Sequence, residues 1–195
     1  MERQRIGFDF ELEVCEKFNL LKSDKYTSEW DAFSCDCLYS IKTVKNKGSI
    51  CFGDIMRQYN HSNNIKDFYL VLGNYDNNNI FIYKRMFYIP IDIWHKHLLG
   101  FDTLIPDINK LKEVFFGEKS NETNDRKYDV LWRNMTKNIK SRWKEINPNS
   151  MFCINFKRDH KGQRRIQCSI SYKKFEENIY LPSKNKKLGM YVIEF

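Results

Sequence analysis

The sequence lacks the features that mark membrane proteins and secreted proteins. It contains no run of about 18 apolar residues, which a membrane-spanning helix would need. Its first residues, MERQRIGFDFELE, carry acids where a secretory signal peptide would be apolar. These absences predict an intracellular protein with no membrane contact, cytoplasmic or, in a eukaryotic or viral setting, nuclear.

Metal-binding and disulfide motifs are also missing. Six cysteines are spread along the chain, and only Cys35 and Cys37 are close to each other. A single C-x-C pair is not a zinc motif. His95 and His97 are two residues apart, so on a helix they would point to different faces and would be poor partners for one metal ion. The pattern predicts reduced thiols, and neither a zinc site nor a disulfide framework.

What the sequence does have is an uneven distribution of charge. The net charge of the 195 residues is +8. Residues 1–100 hold 13 basic and 13 acidic side chains, whereas residues 101–195 hold 20 basic and 12 acidic ones. This asymmetry predicts a neutral core, residues 1–88, followed by a basic extension, residues 89–195, that binds a polyanion. The alternative is a solvated surface in an organism that favours Lys and Asn.

The stretch 26–73 shows an order of elements around which the rest of the chain can be arranged. Two short strands, SEWDAF and CLYSIKT, are followed by a loop, a helix and a continuous apolar strand, FYLVLG. The period-2 alternation of the second strand puts Ser40 and Lys42 on one face. Pairing of the two strands would bring Asp31 to the same end of that face. A carboxylate that can hold a hard cation, beside a lysine that can orient water, suits phosphodiester hydrolysis.

This order of elements resembles the PD-(D/E)XK nuclease superfamily, which includes restriction endonucleases and archaeal-type Holliday junction resolvases. The superfamily pattern is an acid, a variable spacer, and then an acid, any residue and a lysine on the next strand. Asp31 matches the first acid, and Ser40-Ile41-Lys42 occupies the second part, with Ser40 in place of the usual Glu or Asp. The resemblance implies an α/β fold with a restriction-endonuclease-like mixed β-sheet core flanked by helices. The basic second half would be an α+β C-terminal extension of that core.

The resemblance also implies a metal site. Asp31 and the backbone carbonyl of Ile41 would hold Mg²⁺, and Lys42 would orient or deprotonate the attacking water. The position of Glu11 is similar to that of a first-helix glutamate that reaches the metal in resolvase-like nucleases. Glu11 is therefore expected to supply the second carboxylate in place of Ser40.

Other polar residues near this motif are candidates for supporting roles. Arg57 or Gln58, on the helix after the lysine strand, would face the site, and Arg57 would contact a phosphate. Lys45 belongs to a basic loop just past the site and would contact DNA. Glu29 is an alternative second acid, whereas Asp36 belongs to the turn between the two strands.

Two helices are predicted in the first half. The first spans residues 5–21, because its apolar residues recur at helical spacing and would face a sheet. The second begins near Asp54, which is suited to a helix N-terminus. The apolar stripe of the first helix consists of Phe10, Val14, Phe18 and Leu21.

The most informative helix of the second half is predicted over residues 128–146. It carries two separate stripes at helical spacing, one apolar and one basic. The apolar stripe consists of Leu131, Met135, Ile139 and Trp143, and the basic stripe of Arg133, Lys137, Lys140 and Lys144.

A hairpin with a basic tip is predicted next, from the strands MFCINFK and RRIQCSISY. From Arg126 to Lys174 there are 14 basic residues and three acids. A basic helix beside a basic hairpin is typical of groove or backbone contacts to nucleic acid, with double-stranded DNA as the expected partner. The alternative is a solvated basic face. The basic residues of the hairpin are Lys157, Arg158, Lys161, Arg164 and Arg165.

These observations together predict a Mg²⁺-dependent endodeoxyribonuclease of the type II restriction class, which cuts DNA at specific sites. Two alternatives stay open. One is a catalytically inactive nuclease fold that only binds DNA, which the loss of the acid at Ser40 favours. The other is a Holliday-junction-resolvase-like nuclease that recognises the shape of the junction. Symmetric cleavage would require a homodimer.

Overall fold

The computed structural model describes residues 2–23, 30–63, 66–116, 126–158 and 164–195. Its helices are α1 (Glu2–Phe18), α2 (Ile55–Ser62), α3 (Ile91–Lys96), α4 (Ile105–Phe116), α5 (Arg126–Ile146), α6 (Tyr172–Phe175) and α7 (Leu181–Lys184), with a π-helix at Glu176–Tyr180 and 3₁₀ turns at Phe101–Leu104 and Lys187–Gly189. Its strands are β1 (Leu21–Lys22), β2 (Ala32–Ser34), β3 (Cys37–Lys45), β4 (Ile50–Asp54), β5 (Phe68–Tyr75), β6 (Phe81–Ile89), β7 (Phe152–Arg158), β8 (Arg164–Ile170) and β9 (Tyr191–Glu194).

The larger sheet has six strands in the order β1-β2-β3-β5-β6-β9. β3 and β5 are parallel, and the other neighbours in this sheet are antiparallel. A parallel pair needs a crossover connection, which β4 and α2 supply between β3 and β5. The chain is therefore a mixed α/β protein with a mixed sheet flanked by helices, as the sequence predicted at this coarse level.

Helix α1 covers one face of the larger sheet. Phe10 and Val14 are buried against Ile41 and Val71, which the two parallel strands present on that face. The helix ends earlier than the sequence predicted, because Asn19 adopts a left-handed conformation with φ 51° that stops it. Placing Leu21 on the helix was wrong, since it lies in β1 and is 63% exposed.

The smaller sheet has three strands in the order β4-β8-β7. Residues 50–54 were predicted as the end of a loop and the start of the second helix, whereas they form β4, which pairs antiparallel with β8. The strand is short and contains Gly53, so its own pattern is weak. It becomes a strand because β8, more than a hundred residues later, supplies its hydrogen-bond partners.

One hydrophobic core lies between the two sheets and crosses the boundary predicted at residue 88. Leu70 and Phe87 from the larger sheet share this core with Trp94, Trp143 and Phe152 from the second half of the chain. Residue 88 itself lies inside β6, and β9 joins the larger sheet from the C-terminal end. The predicted boundary therefore does not coincide with a break in packing.

The second half contains the predicted helix and hairpin. Ile139 and Trp143 of α5 are buried as predicted and Met135 packs partly against the core. Leu131 is 42% exposed, and the adjacent Trp132 packs against the core instead. β7 and β8 form the predicted hairpin. Its tip, residues 159–163, lies outside the described residues. No helix in the described part of the chain is long and apolar enough to cross a bilayer.

Two histidines are buried in this core. His61 is 3% exposed, and its ring packs edge-on against Trp30, 4.1 Å between centroids. His97 is 6% exposed and accepts a hydrogen bond on Nδ1 from the backbone N–H of Met151 at 3.3 Å. Burial lowers the pKa of each histidine from 6.5 to about 4, because a charged imidazole loses its hydration there. At His97 the positive charge of Lys96 lowers the pKa further.

This burial makes folding sensitive to acid. The histidines are protonated near pH 6.5 in the unfolded chain and only near pH 4 in the folded protein. Protonation therefore leaves the free energy of unfolding unchanged above pH 6.5 and lowers it as the pH falls below that value. Between those pH values, each histidine should lower the free energy of unfolding by up to about 1.4 kcal/mol for each unit by which the pH falls. Urea unfolding of wild type and of His61→Phe from pH 4 to 8 measures this. The variant should lose stability less steeply below pH 6.5, and identical slopes would contradict the assignment.

Candidate functional site

A pocket of 490 Å³ lies where α1, the open edge of β3 and the smaller sheet meet. It contains most of the residues that the sequence pattern singled out in the first half of the chain. Its polar lining consists of Gln4, Glu11, Asp31, Ser40, Lys42, Thr43, Asp54, Arg57, Gln58, Arg165 and Gln167.

The pocket exists because β2 is too short to cover β3. β2 pairs with β3 only at Cys37–Tyr39, so the edge of β3 is open from residue 40 onward. Asp31 lies just before β2, at the start of this gap. Its backbone is held on both sides, since its N–H donates to Tyr39 O at 3.0 Å and its C=O accepts from Ser23 N at 3.0 Å. Its side chain is thereby directed at the open edge.

The Asp31 carboxylate gathers the three residues of the predicted motif. Its Oδ2 accepts hydrogen bonds from Lys42 Nζ at 2.5 Å, from Ile41 N at 2.6 Å and from Ser40 Oγ at 3.5 Å. The structure thus places Asp31, Ser40 and Lys42 together, as the strand alternation suggested. Their catalytic role stays a prediction.

Ile41 has two distinct parts in this arrangement. Its side chain is buried beneath α1, whereas its N–H donates to Asp31 across the open edge. In a strand, the N–H and C=O of one residue point to the same side, so the Ile41 carbonyl also faces the gap. This Ile41 carbonyl oxygen is the one that the resemblance implies as a metal ligand.

Glu11 reaches the same pocket from α1. It is half-buried, and its Oε2 lies 3.2 Å from Lys22 Nζ. Burial raises the pKa of Glu11 above its usual value, and the negative charge of Asp31 raises it further, while Lys22 and Lys42 oppose the shift. Two acids close enough to repel each other therefore meet at the edge of β3.

The opposite wall is made by β4 and the start of α2. Asp54 caps this helix, since its Oδ1 accepts from Met56 N at 2.8 Å and Arg57 N at 3.3 Å. The register of β4 against β8 shifts between Cys51 and Gly53, which is a bulge. Gly53 has φ +76°, and a Cβ there would lie 3.2 Å from Arg57 Nη2. The bulge thus lets Arg57 lie close against the backbone beside the pocket.

Gln58 lines the pocket, but both ends of its side-chain amide form hydrogen bonds within the pocket wall. Its Nε2 donates to Phe52 O at 3.2 Å, and its Oε1 accepts from Trp94 Nε1 at 3.2 Å. Trp94 is completely buried, so its indole N–H depends on this contact. Moving Gln58 onto a substrate would leave a buried donor unpaired.

β8 adds residues that the sequence analysis did not assign to this pocket. Arg165 was predicted to contact DNA from the hairpin, and the structure places it in the pocket lining together with Gln167. The signal was the alternation in RRIQCSI, which buries Ile166 and Cys168 and turns Arg165 and Gln167 to the other face. Only the pairing of β8 with β4 brings that face to the motif.

The remaining candidates lie elsewhere. Lys45 is at the end of β3, outside the pocket, and Asp36 lies in the turn between β2 and β3. Arg133 and Lys137 are exposed on α5, Lys157 is exposed on β7, and Lys140 and Lys144 line a separate groove. Four candidates concern parts that are not described: the residues Glu29 and Lys161, and the side chains of Arg158 and Arg164.

A hard cation that keeps part of its water shell would find oxygen ligands in this pocket. Within the described residues, no group of three or more His, Cys, Asp or Glu side chains converges on one point. At the β3 edge the site offers the carboxylates of Asp31 and Glu11 and the backbone carbonyl of Ile41, while the third carboxylate of the lining, Asp54, caps α2 on the opposite wall. Mg²⁺ prefers oxygen ligands and commonly takes only one or two carboxylates with several waters. A cation there would also relieve the repulsion that raises the pKa of Glu11.

Comparison of the chain with protein-family models, with curated proteins and with solved structures finds no match. The site therefore has to be judged on its own geometry.

The role of Gln58 in the wall has a measurable consequence. Gln58→Ala should lower the free energy of unfolding by about 1–3 kcal/mol, because Trp94 Nε1 would lose its acceptor inside the core. Urea unfolding followed by tryptophan fluorescence measures the change. Asn60→Ala, an exposed position on the same helix, is the matched control and should change stability by less than about 0.5 kcal/mol. Equal stability of wild type and Gln58→Ala would show that the amide does not support the wall.

Proposed function

We propose that this protein is a Mg²⁺-dependent endonuclease that hydrolyses phosphodiester bonds of double-stranded DNA in the pocket at the open edge of β3. The observation that carries the proposal is the contact of Asp31 with Lys42 and with the backbone N–H of Ile41, with Glu11 beside it. A carboxylate, a lysine and a second acid at one strand edge match the chemical needs of hydrolysis at a phosphate.

Asp31, Glu11 and the Ile41 carbonyl would hold the cation, which would supply Lewis-acid stabilisation of the charge that develops on the phosphate. Lys42 would orient the attacking water, because its ammonium already lies at the Asp31 carboxylate, which would hold the cation. Ser40 would contribute a hydroxyl where an acid is usual in the superfamily that the motif resembles. Each of these groups lies on one side of the pocket.

Arg57 and Arg165 provide positive charge on the other side. Both line the pocket, one from α2 and one from β8. A DNA phosphate between the two walls would meet guanidinium groups opposite the acids, and guanidinium suits phosphate because it can donate two parallel hydrogen bonds. These arginines would position the backbone, while the acids and Lys42 would act at the scissile bond.

The basic second half supports DNA as the substrate. The exposed basic stripe of α5 and the basic strands of the hairpin offer many contacts to phosphates. A site-specific, type II restriction-like activity is the form we favour. Cutting both strands symmetrically would require a homodimer.

A second candidate is a DNA-binding protein without catalysis. The observation that favours it is the hydroxyl of Ser40 at the position of the usual acid, which leaves Asp31 and Glu11 as the carboxylates beside the β3 edge. In that case the pocket would grip a phosphate through Arg57 and Arg165 without cutting it.

Two substitutions test the site directly. Asp31→Asn and Lys42→Ala should each reduce cleavage by at least about 100-fold, because one removes a charged ligand and the other a group that organises the water. DNA binding without Mg²⁺ should change only a few-fold. Asp102→Asn and Lys110→Ala, both exposed and outside the pocket, are the controls of matched chemistry. Wild-type cleavage by Lys42→Ala would remove this lysine from the mechanism.

The class of activity is decided by a substrate panel. Purified protein is incubated with plasmid DNA, genomic DNA and four-way junctions, each with Mg²⁺ or EDTA. Discrete fragments that need Mg²⁺ support the restriction-like enzyme, and cutting confined to junctions supports a resolvase-like enzyme. Binding without cutting supports the inactive DNA-binding protein and overturns the proposed nuclease.

A further inference from the structure

A groove of 260 Å³ lies between the C-terminal part of α5 and the edge strand β7. Three lysines line it: Lys140 and Lys144 from α5, and Lys174 from α6. Lys174 Nζ donates to the backbone carbonyl of Ser150, which fixes its ammonium at one end of the groove. Neither aspartate nor glutamate is found among the described residues that line it. The charged groups of the groove are therefore all positive, which favours an anion.

The smaller sheet has one buried face and one open polar face. Its buried face is formed by residues such as Phe52, Ile154 and Ile166. Its other face carries a row of polar or exposed side chains on neighbouring strands, matched by register. Across the sheet, Asp54 pairs with Gln167 and Gln167 with Asn155, and likewise Cys51 pairs with Ser169 and Ser169 with Cys153.

This open face joins the candidate active site to the groove. Asp54 and Gln167 line the site, whereas Asn155 and Cys153 line the groove. Gln167 and Asn155 are direct partners on adjacent strands, so only one strand spacing, about 4.8 Å, separates the two linings. From β4 to β7 the distance is two spacings, about 10 Å, which corresponds to roughly three base-pair steps of DNA. A strand held in the site can therefore reach the groove.

We propose that the groove is a second phosphate-binding subsite, which takes the sugar–phosphate backbone of the same DNA roughly three or more base pairs from the scissile bond. This proposal rests on the proposed function. The groove is too small for a duplex, so it would receive only the backbone, with Lys140, Lys144 and Lys174 around the phosphates. Arg133 and Lys137 extend the basic stripe along α5 beyond the groove and would contact the phosphates that follow.

An extended acidic peptide is the rival occupant, because β7 is an edge strand that a peptide could pair with. The observations favour DNA. The groove and the pocket that holds Arg57 and Arg165 are lined by register partners on one polar sheet face, Asn155 and Gln167, and a peptide paired with β7 alone would not use both.

Native cysteines allow a test on the wild-type protein. Cys153 lies at the groove and Cys51 at the candidate site, and both are exposed, whereas exposed Cys35 lies in the β2–β3 turn away from both. Alkylation with iodoacetamide is followed by mass spectrometry with and without a saturating 30-base-pair duplex, in EDTA. DNA should slow the modification of Cys153 and Cys51 several-fold and leave Cys35 unchanged. Protection of Cys51 without protection of Cys153 would overturn the groove proposal.

A charge-matched pair of variants completes the test. The triple variant Lys140→Gln, Lys144→Gln and Lys174→Gln is compared with Lys110→Gln, Lys184→Gln and Lys187→Gln, which removes three exposed lysines outside the groove and the site. In binding titrations at several salt concentrations, the groove variant should lower the log–log salt slope by about 0.9 for each DNA phosphate that it no longer neutralises. The control variant should change the slope less. Circular dichroism checks that both are folded.

The outcomes separate this proposal from the nuclease proposal. If wild type cleaves DNA and both triple variants show equal salt slopes, the nuclease proposal is supported and the groove proposal is overturned. A lower slope for the groove variant alone, without any cleavage by wild type, would support the groove as a DNA site and overturn the enzyme. If the triple groove variant loses binding of a poly-glutamate peptide but binds DNA like wild type, the groove takes an acidic peptide and the DNA proposal is overturned.

Discussion

The antiparallel pairing of β4 with β8 is the constraint on which the rest of the structure depends. It joins a five-residue segment next to the β3 motif to a strand more than a hundred residues further along the chain. The pairing closes the core between the two sheets and brings Arg165 and Gln167 to the pocket. The bulge at Gly53 lies in the same pairing and sets the approach of Arg57. A single pairing therefore contributes buried residues to the shared core and one wall of the pocket.

The other wall depends on where a strand stops. β2 ends its pairing at Tyr39, so the next backbone groups of β3 face a gap instead of another strand. Asp31 fills part of this gap by accepting the N–H of Ile41 and the ammonium of Lys42. Unsatisfied groups at an open strand edge are costly when buried and available for binding when exposed. Here a carboxylate satisfies them in a pocket that stays open to a ligand.

Electrostatics at this edge are balanced between two acids and two lysines. Asp31 contacts Lys42, and Glu11 contacts Lys22, while burial and the negative charge of Asp31 raise the pKa of Glu11. The raised pKa of Glu11 shows that the lysines do not fully offset burial and repulsion. The same wall is supported from behind by Gln58, whose amide joins β4 to the buried Trp94. Adjacent residues of α2 therefore have different partners: Arg57 lines the pocket, and Gln58 binds the buried Trp94.

The sequence by itself determined the local elements and the local part of the site. Period-2 alternation identified β3 and the shared face of Ser40 and Lys42, and helical spacing identified α1 and α5, because these patterns follow from backbone geometry alone. The tertiary structure decided what depends on distant contacts. Residues 50–54 became a strand only through β8, Trp132 of α5 packs against the core where Leu131 was expected, and Asn19 stopped α1 before Leu21. Local patterns likewise did not predict that Arg165 and Gln167 line the pocket. Nor did they predict that the groove at β7 lies one strand away from it. Strand pairing between remote segments is set by the burial of a shared core, and no local spacing encodes which remote strand will pair.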